Sequence, residues 1–242
     1  MSYKTSNPAF TPYFWDDKAR GGKKMTIGGI FLKSLFCIVL LTIVVATVWN
    51  MYYNGQSIKW FGSGGMLAAI VISIVLSVRQ QWAPFLVPLY SVAKGFFLGA
   101  FSVHIHAKYP NFPFQAVVIT ITTFLVMIFL YKTQLIVLTK QLRSTILIAT
   151  ITIMTVYVVT WILSFFGINV GFIRGTGWFA IAFNVFAALT ASFSLLIDID
   201  YIDRYKNRAP KSKEWMATWG LLVTLIWLYV EVLRLMRKLA IR

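Results

Sequence analysis

Seven apolar stretches, separated by polar or turn-forming residues, constrain this chain more than any other feature of its sequence. A helix needs about 20 mostly apolar residues to cross about 30 Å of hydrocarbon. We therefore expect seven membrane-spanning helices, at residues 27–51, 64–78, 85–107, 115–131, 144–166, 177–197 and 215–236. The second stretch is short and could begin earlier, near Phe61. The predicted fold class is an all-α membrane protein.

Composition excludes the main soluble classes. Hydrophobic residues make up 59% of the chain and charged residues 12%, whereas a soluble domain carries about 25% charged residues. A water-soluble globule and a disordered chain are therefore excluded. A single cysteine excludes a disulfide framework, and two histidines leave little for a zinc site. We expect no cofactor and no bound metal.

Domain organisation follows from the short connections between the apolar stretches. No loop is long enough to hold a second folded domain. The sequence predicts a cytoplasmic N-terminal tail over residues 1–26, followed by a single membrane domain over residues 27–242.

Net charge is +16, which in a soluble protein would suggest nucleic-acid binding. In membrane proteins Lys and Arg collect in cytoplasmic segments. With the N-terminus inside, fifteen basic residues lie on the cytoplasmic side and three in outer loops, so we expect no nucleic-acid partner. Seven crossings place the C-terminus, with a last group of basic residues, outside. Either these residues snorkel at the outer interface, or one span is re-entrant and the C-terminus stays inside. That group comprises Arg234, Arg237, Lys238 and Arg242.

Carboxylates are confined to the ends of the chain. Residues 18–197 contain none, and five of the seven acids lie in the last two spans or their connection: Asp198, Asp200, Asp203, Glu214 and Glu231. An ionisable group within a span costs about 2.5–3.5 kcal/mol on insertion scales and usually faces the protein interior or a wet cavity. These acids are therefore the candidate functional residues.

Each candidate also has a purely structural interpretation. Asp198, Asp200 and Asp203 could be solvated at the cytoplasmic mouth of the sixth span. Glu231 could pair with Arg234 within its own helix, and Lys94, within the third span, could be a structural counter-charge for Glu231. Asp198 and Asp200 diverge by about 200° on a helix, so only one can face a passage.

Enzymatic motifs are absent from the sequence. Intramembrane proteases need a Ser–His pair, two transmembrane aspartates or a zinc-binding HExxH motif, and the chain has none of these. A P-loop, a glycine-rich nucleotide fingerprint and a CxxC motif are also missing. We expect a protein that is not an enzyme.

The last two spans carry a family resemblance. The segment Ser194-Leu-Leu-Ile-Asp198-Ile-Asp200 resembles the "D-x-Q" end of the sixth helix in the Bax inhibitor-1 family. The helix segment Trp227-Leu-Tyr-Val-Glu231 is similar to that family's "L-Y-L-D-x-x-N-L-F" helix. From its Asn7-Pro-Ala-Phe10 tail motif onward, essentially the whole chain looks like the prokaryotic branch of this family.

This resemblance implies six helices around a central C-terminal one and a pH-sensitive calcium leak. It also implies a latch, meaning two acids of the last two helices whose protonation controls opening. The matching positions are Asp198 (or Asp200) and Glu231, with Arg79 as the partnering arginine. Thirty-three residues separate Asp198 from Glu231, more than the usual spacing in the family, so Glu214 is an alternative partner.

Three functional hypotheses follow. The first is a cation leak of a bacterial inner membrane, with the lipid bilayer, calcium and protons as partners, because calcium prefers hard oxygen ligands. The alternative is a non-transporting regulator that binds a membrane protease or another membrane partner through the N-terminal tail. A third option is a lipid-binding scaffold, supported only by the basic loop over residues 204–213.

The connection between the last two spans tests the orientation. Its basic residues, from Arg204 to Lys213, predict that it faces the cytoplasm. A topology reporter fused after Lys206 should therefore give a cytoplasmic signal. A periplasmic signal would reverse the whole assignment.

Overall fold

Among the residues that the structure describes, seven helices are long and apolar enough to span a membrane, as the sequence predicts. The computed structural model describes residues 7, 9, 23–168 and 170–241; it is 82% helical and has no strand among them. The spanning helices are α1 (Ile27–Tyr53), α2 (Lys59–Val78), α3 (Ala83–His106), α4 (Phe112–Lys132), α5 (Lys140–Phe165), α7 (Trp178–Tyr205) and α8 (Lys213–Ala240). A single turn, α6 (Gly171–Arg174), precedes α7. The arrangement of six helices around a central one stays a prediction.

Helix ends differ from the sequence prediction at the sixth span. The apolar stretch stops at residue 197, but α7 continues through the three aspartates to Tyr205. Hydropathy marks where the apolar residues end, whereas a helix continues until its backbone is capped or turned. Asp198 and Asp200 are consequently helical residues.

The described chain forms two compact units. The first comprises Met1–Asn7, Asn111–Tyr201 and Val223–Arg242, and the second comprises Pro8–Pro110 and Ile202–Leu222. The single membrane domain predicted from the sequence stays a prediction.

In the first unit, α4 and α5 expose large apolar side chains, including Phe129 and Ile148. The α7 face with Ala187, Ala191 and Leu195 is fully buried. Extensive apolar exposure is expected of surfaces that contact lipid. The exposed faces of α4 and α5 are therefore suited to contact with lipid.

In the second unit, glycines allow close approach between helices. A Cβ atom at Gly99 would lie 2.8 Å from the Cβ atom of Val48, and one at Gly95 would lie 2.7 Å from that of Val44. Both valines belong to α1 and both glycines to α3. Small residues let helix backbones pack closely in lipid, where no hydrophobic effect drives association.

Also in the second unit, the residues before α1 pair with the loop between α7 and α8. The backbone N–H of Met25 donates to the carbonyl of Ala209 at 2.9 Å, and that of Lys211 donates to the carbonyl of Lys23 at 2.8 Å. Two segments that are hydrogen-bonded in this way lie on one side of a membrane. The predicted orientation also places the N-terminal segment and the loop between α7 and α8 on the same side. That this side is the cytoplasmic one stays a prediction.

Adjacent glycines in α2 provide a matched test of close packing. A Cβ atom at Gly65 would lie 2.6 Å from the carbonyl oxygen of Ala93, whereas one at Gly64 would meet nothing within 4 Å. Because backbone cannot yield easily, we expect Gly65→Ala to destabilise the protein by about 1–3 kcal/mol. Gly64→Ala should leave the melting temperature in detergent nearly unchanged. Equal effects of the two substitutions would contradict the packing of α2 on α3.

Candidate functional site

Three buried carboxylates in the first unit form the candidate site. Asp198 and Asp200 lie on α7, and Glu231 lies on α8; none is more than 4% exposed. A buried carboxylate is tolerated when hydrogen-bond donors or cations surround it. The three differ in the donors that each receives.

Asp198 receives hydrogen bonds from neutral groups. Its Oδ2 accepts from the Thr224 hydroxyl of α8 at 2.6 Å and from the Asn7 amide at 3.1 Å. The Asn7 amide also donates to the Thr224 hydroxyl at 3.1 Å, and Asn7 itself is buried. Among the described residues, no Lys, Arg or His pairs with Asp198. Within the described part of the chain, its negative charge is therefore stabilised by neutral dipoles.

Asp200 faces a different set of helices. The Arg143 guanidinium of α5 donates to its Oδ2 at 2.5 Å, and the Tyr131 hydroxyl of α4 donates to its Oδ1 at 3.4 Å. A two-residue offset turns a side chain by about 200° around a helix, which explains why Asp198 and Asp200 have different neighbours. Arg143 is also buried, so this pair is a buried salt bridge.

Glu231 is the most completely coordinated of the three carboxylates. Its Oε2 accepts from the Tyr157 hydroxyl and from the Asn184 amide, each at 2.8 Å. Its Oε1 accepts from the Trp227 indole at 3.2 Å and from Arg234 at 3.4 Å. The Arg234 contact is the pair within one helix that the structural interpretation of Glu231 expects.

Asp198 and Glu231 are not brought together in this unit. The hydrogen-bond partners named above for Asp198 and those named for Glu231 have no residue in common. The α8 residue that donates a hydrogen bond to Asp198 is Thr224, 26 residues later in the chain. Glu231 lies about 10 Å beyond Thr224 along α8. No three His, Cys, Asp or Glu side chains converge to hold a metal within the described ranges.

Asp203 and Glu214 belong to the second unit. Asp203 pairs with Lys206 at 2.5 Å, and its side chain is 38% exposed, so the solvated interpretation fits this aspartate. Glu214 is buried and accepts from the Thr26 backbone and hydroxyl, both at 3.0 Å, and from Lys33 at 2.5 Å. Its contacts connect the first turn of α8 to the start of α1.

The two predicted counter-charges also lie in the second unit. Lys94 has its Nζ 3.8 Å from the Met66 sulfur and over the rings of Tyr90 and Phe97. Arg79 follows the last residue of α2 and is exposed. Glu231 and Asp198 belong to the other unit, so their pairing with Lys94, Arg79 or Glu214 stays a prediction.

Sequence reasoning missed the neutral and cationic partners in the first unit. Asn184 carries a visible signal, because it is a lone amide inside an apolar span. Arg143 lies one residue before the predicted fifth span (144–166), but α5 begins at Lys140 and carries it on the helix. Thr224 gives no such signal, since threonines occur throughout the spans.

Comparison with known proteins identifies one family. The family model described as Bax inhibitor 1 like matches residues 7–241, nearly the whole chain. Its matched region begins at Asn7 and includes α7 and α8, which carry the three carboxylates. No curated protein and no solved structure matches the chain.

The buried Arg143–Asp200 pair can be tested by a double-mutant cycle. Removing one partner leaves an uncompensated buried charge, so Arg143→Met or Asp200→Asn should each cost about 3–5 kcal/mol of stability. The double variant should recover part of that loss, measured by thermal unfolding in detergent. As a control, Asp203→Asn breaks a half-exposed pair and should cost about 1 kcal/mol or less. Strictly additive losses at Arg143 and Asp200 would argue against the pair.

Proposed function

Since the chain belongs to the Bax inhibitor 1-like family, we propose that it is a pH-sensitive cation leak of the cytoplasmic membrane, with calcium as the cation. Asp198 is the group whose protonation controls the leak. The bilayer partner follows from the seven spanning helices.

One observation carries the assignment to Asp198. Of the three buried carboxylates in the first unit, Asp200 and Glu231 each have an arginine partner, whereas the hydrogen bonds of Asp198 come from Thr224 and Asn7. A carboxylate whose charge no nearby cation offsets is the group whose protonation most changes the local field.

Protonation would also change the hydrogen bonds at this position. An ionised carboxylate only accepts hydrogen bonds, while a carboxylic acid also donates one. The Thr224 hydroxyl and the Asn7 amide both donate to Asp198 Oδ2. A proton on Oδ2 would require them to rearrange, and a proton on Oδ1 would need an acceptor of its own. Such a local change can bias an equilibrium between closed and open states.

Asp198 also has neighbours suited to a cation path. Calcium takes six to eight oxygen ligands, including carboxylate, amide and water oxygens. The Asp198 carboxylate and the Thr224 hydroxyl supply oxygens of this kind within one hydrogen-bonded group, in which the Asn7 amide donates to both. Waters would complete the coordination of an ion in transit.

Calcium entry into proteoliposomes, followed by an enclosed dye, tests the proposal. Wild-type protein should give a flux that varies with pH between about 6 and about 8, a range in which buried carboxylates can titrate. Asp198→Asn removes the titrating group but keeps its shape, so we expect the pH dependence to flatten. Asp203→Asn should retain the wild-type profile, because Asp203 is half-exposed and paired with Lys206.

Two results would contradict the proposal in different ways. If Asp198→Asn retained the wild-type pH profile, the gating role of Asp198 would be wrong. If monodisperse wild-type protein gave no flux at any pH, the leak itself would be wrong. The non-transporting regulator of a membrane protease would then be the better hypothesis.

A further inference from the structure

Lys238, in the last turn of α8, turns its ammonium into the first unit. The residue is 3% exposed, although basic residues near the end of a spanning helix usually extend toward water. Its Nζ donates to the carbonyl of Ile173 at 2.6 Å, to the carbonyl of Ala180 at 3.1 Å and to the Asn184 Oδ1. A lysine ammonium has three N–H donors, and each finds an acceptor here.

The three acceptors come from separate pieces of local structure. Ile173 lies in the single turn α6, whose last carbonyls have no partner within so short a helix. Ala180 lies in the first turn of α7, and a helical carbonyl keeps a second lone pair. Asn184 donates its amide to Glu231 at 2.8 Å, which leaves its oxygen directed toward Lys238. We call these three oxygens the oxygen cage.

We propose that the oxygen cage is a monovalent-cation site that the Lys238 ammonium occupies as a tethered cation. Its ligand class is a singly charged ion of ammonium or potassium size. Neutral carbonyl oxygens can replace the hydration shell of such an ion, as they do in potassium-selective filters.

The composition of the cage disfavours calcium. Calcium usually takes several carboxylates among its ligands, whereas the three cage oxygens are all neutral. Glu231 is hydrogen-bonded to the cage through the Asn184 amide, and its own oxygens already accept four hydrogen bonds. The cage is therefore matched to a single positive charge.

This site is separate from the proposed gating residue. Lys238 lies fourteen residues beyond Thr224 on α8, about 21 Å along the helix axis. The inference does not depend on calcium flux, because occupancy of the cage can be measured as binding.

Chemical rescue tests the site. Lys238→Ala removes the tethered ammonium and leaves the cage, so its melting temperature in choline chloride should fall by several degrees below that of the wild type. Replacing choline with potassium or methylammonium at constant ionic strength should raise that temperature again, with the logarithmic concentration dependence of ligand binding. Choline carries the same charge but is too bulky to enter.

Matched variants identify the cage as the site of rescue. The double variant Lys238→Ala/Asn184→Ala lacks one cage oxygen and should lose the response to potassium and methylammonium. The wild type, with its cage occupied, should not respond. Lys206→Ala removes a half-exposed lysine and should not respond either.

Several outcomes would overturn the proposal. These are no rescue of Lys238→Ala by either small cation, equal rescue by choline, or rescue that persists in the double variant. Greater stabilisation by calcium than by the monovalent ions would also overturn it. So would a Lys238→Ala protein that stays unfolded in every salt, because an intact cage should accept a free ammonium ion.

Discussion

A charged group inside a spanning helix has no water to stabilise it, so the protein itself must supply the hydrogen-bond partners. In the first unit such partners connect distant parts of the chain. Asp200 connects α7 to α5 and α4, and Glu231 connects α8 to α5 and α7. Apolar packing cannot choose among helices in the same way, because lipid tails are as apolar as leucine. The polar partners therefore determine which helix faces meet.

The three buried carboxylates of the first unit are of two kinds, according to whether an arginine pairs with the carboxylate. Asp200 and Glu231 are each neutralised by an arginine and surrounded by further donors, which suits a permanent structural connection. Asp198 is held by a hydroxyl and an amide, so a proton can be added there without breaking an ion pair. In the proposed mechanism, stability and pH sensitivity therefore reside in different acids of the same two helices.

The second unit is stabilised by close helix packing at glycines and by ionic contacts at the start of α8. Its helices approach closely at Gly65, Gly95 and Gly99, where a Cβ atom would overlap the neighbouring helix. Its buried acid, Glu214, lies in the first turn of α8 and stabilises the start of α1 through the Thr26 backbone and Lys33. Close backbone packing along the helices and ionic contacts at one end thus hold this unit together.

The amino-acid sequence by itself determined the fold class, the seven spans and the family, because hydrophobic length and motif order are local properties of a chain. It also located the unusual carboxylates near its end. Tertiary structure alone decided their partners: Asp198 meets Thr224 and the remote Asn7, Asp200 meets Arg143, and Lys238 is buried instead of snorkelling. These pairings depend on helix register and side-chain direction across as many as 191 residues. A shift of one residue turns a helical side chain by about 100°, so hydropathy and spacing cannot select which polar groups meet.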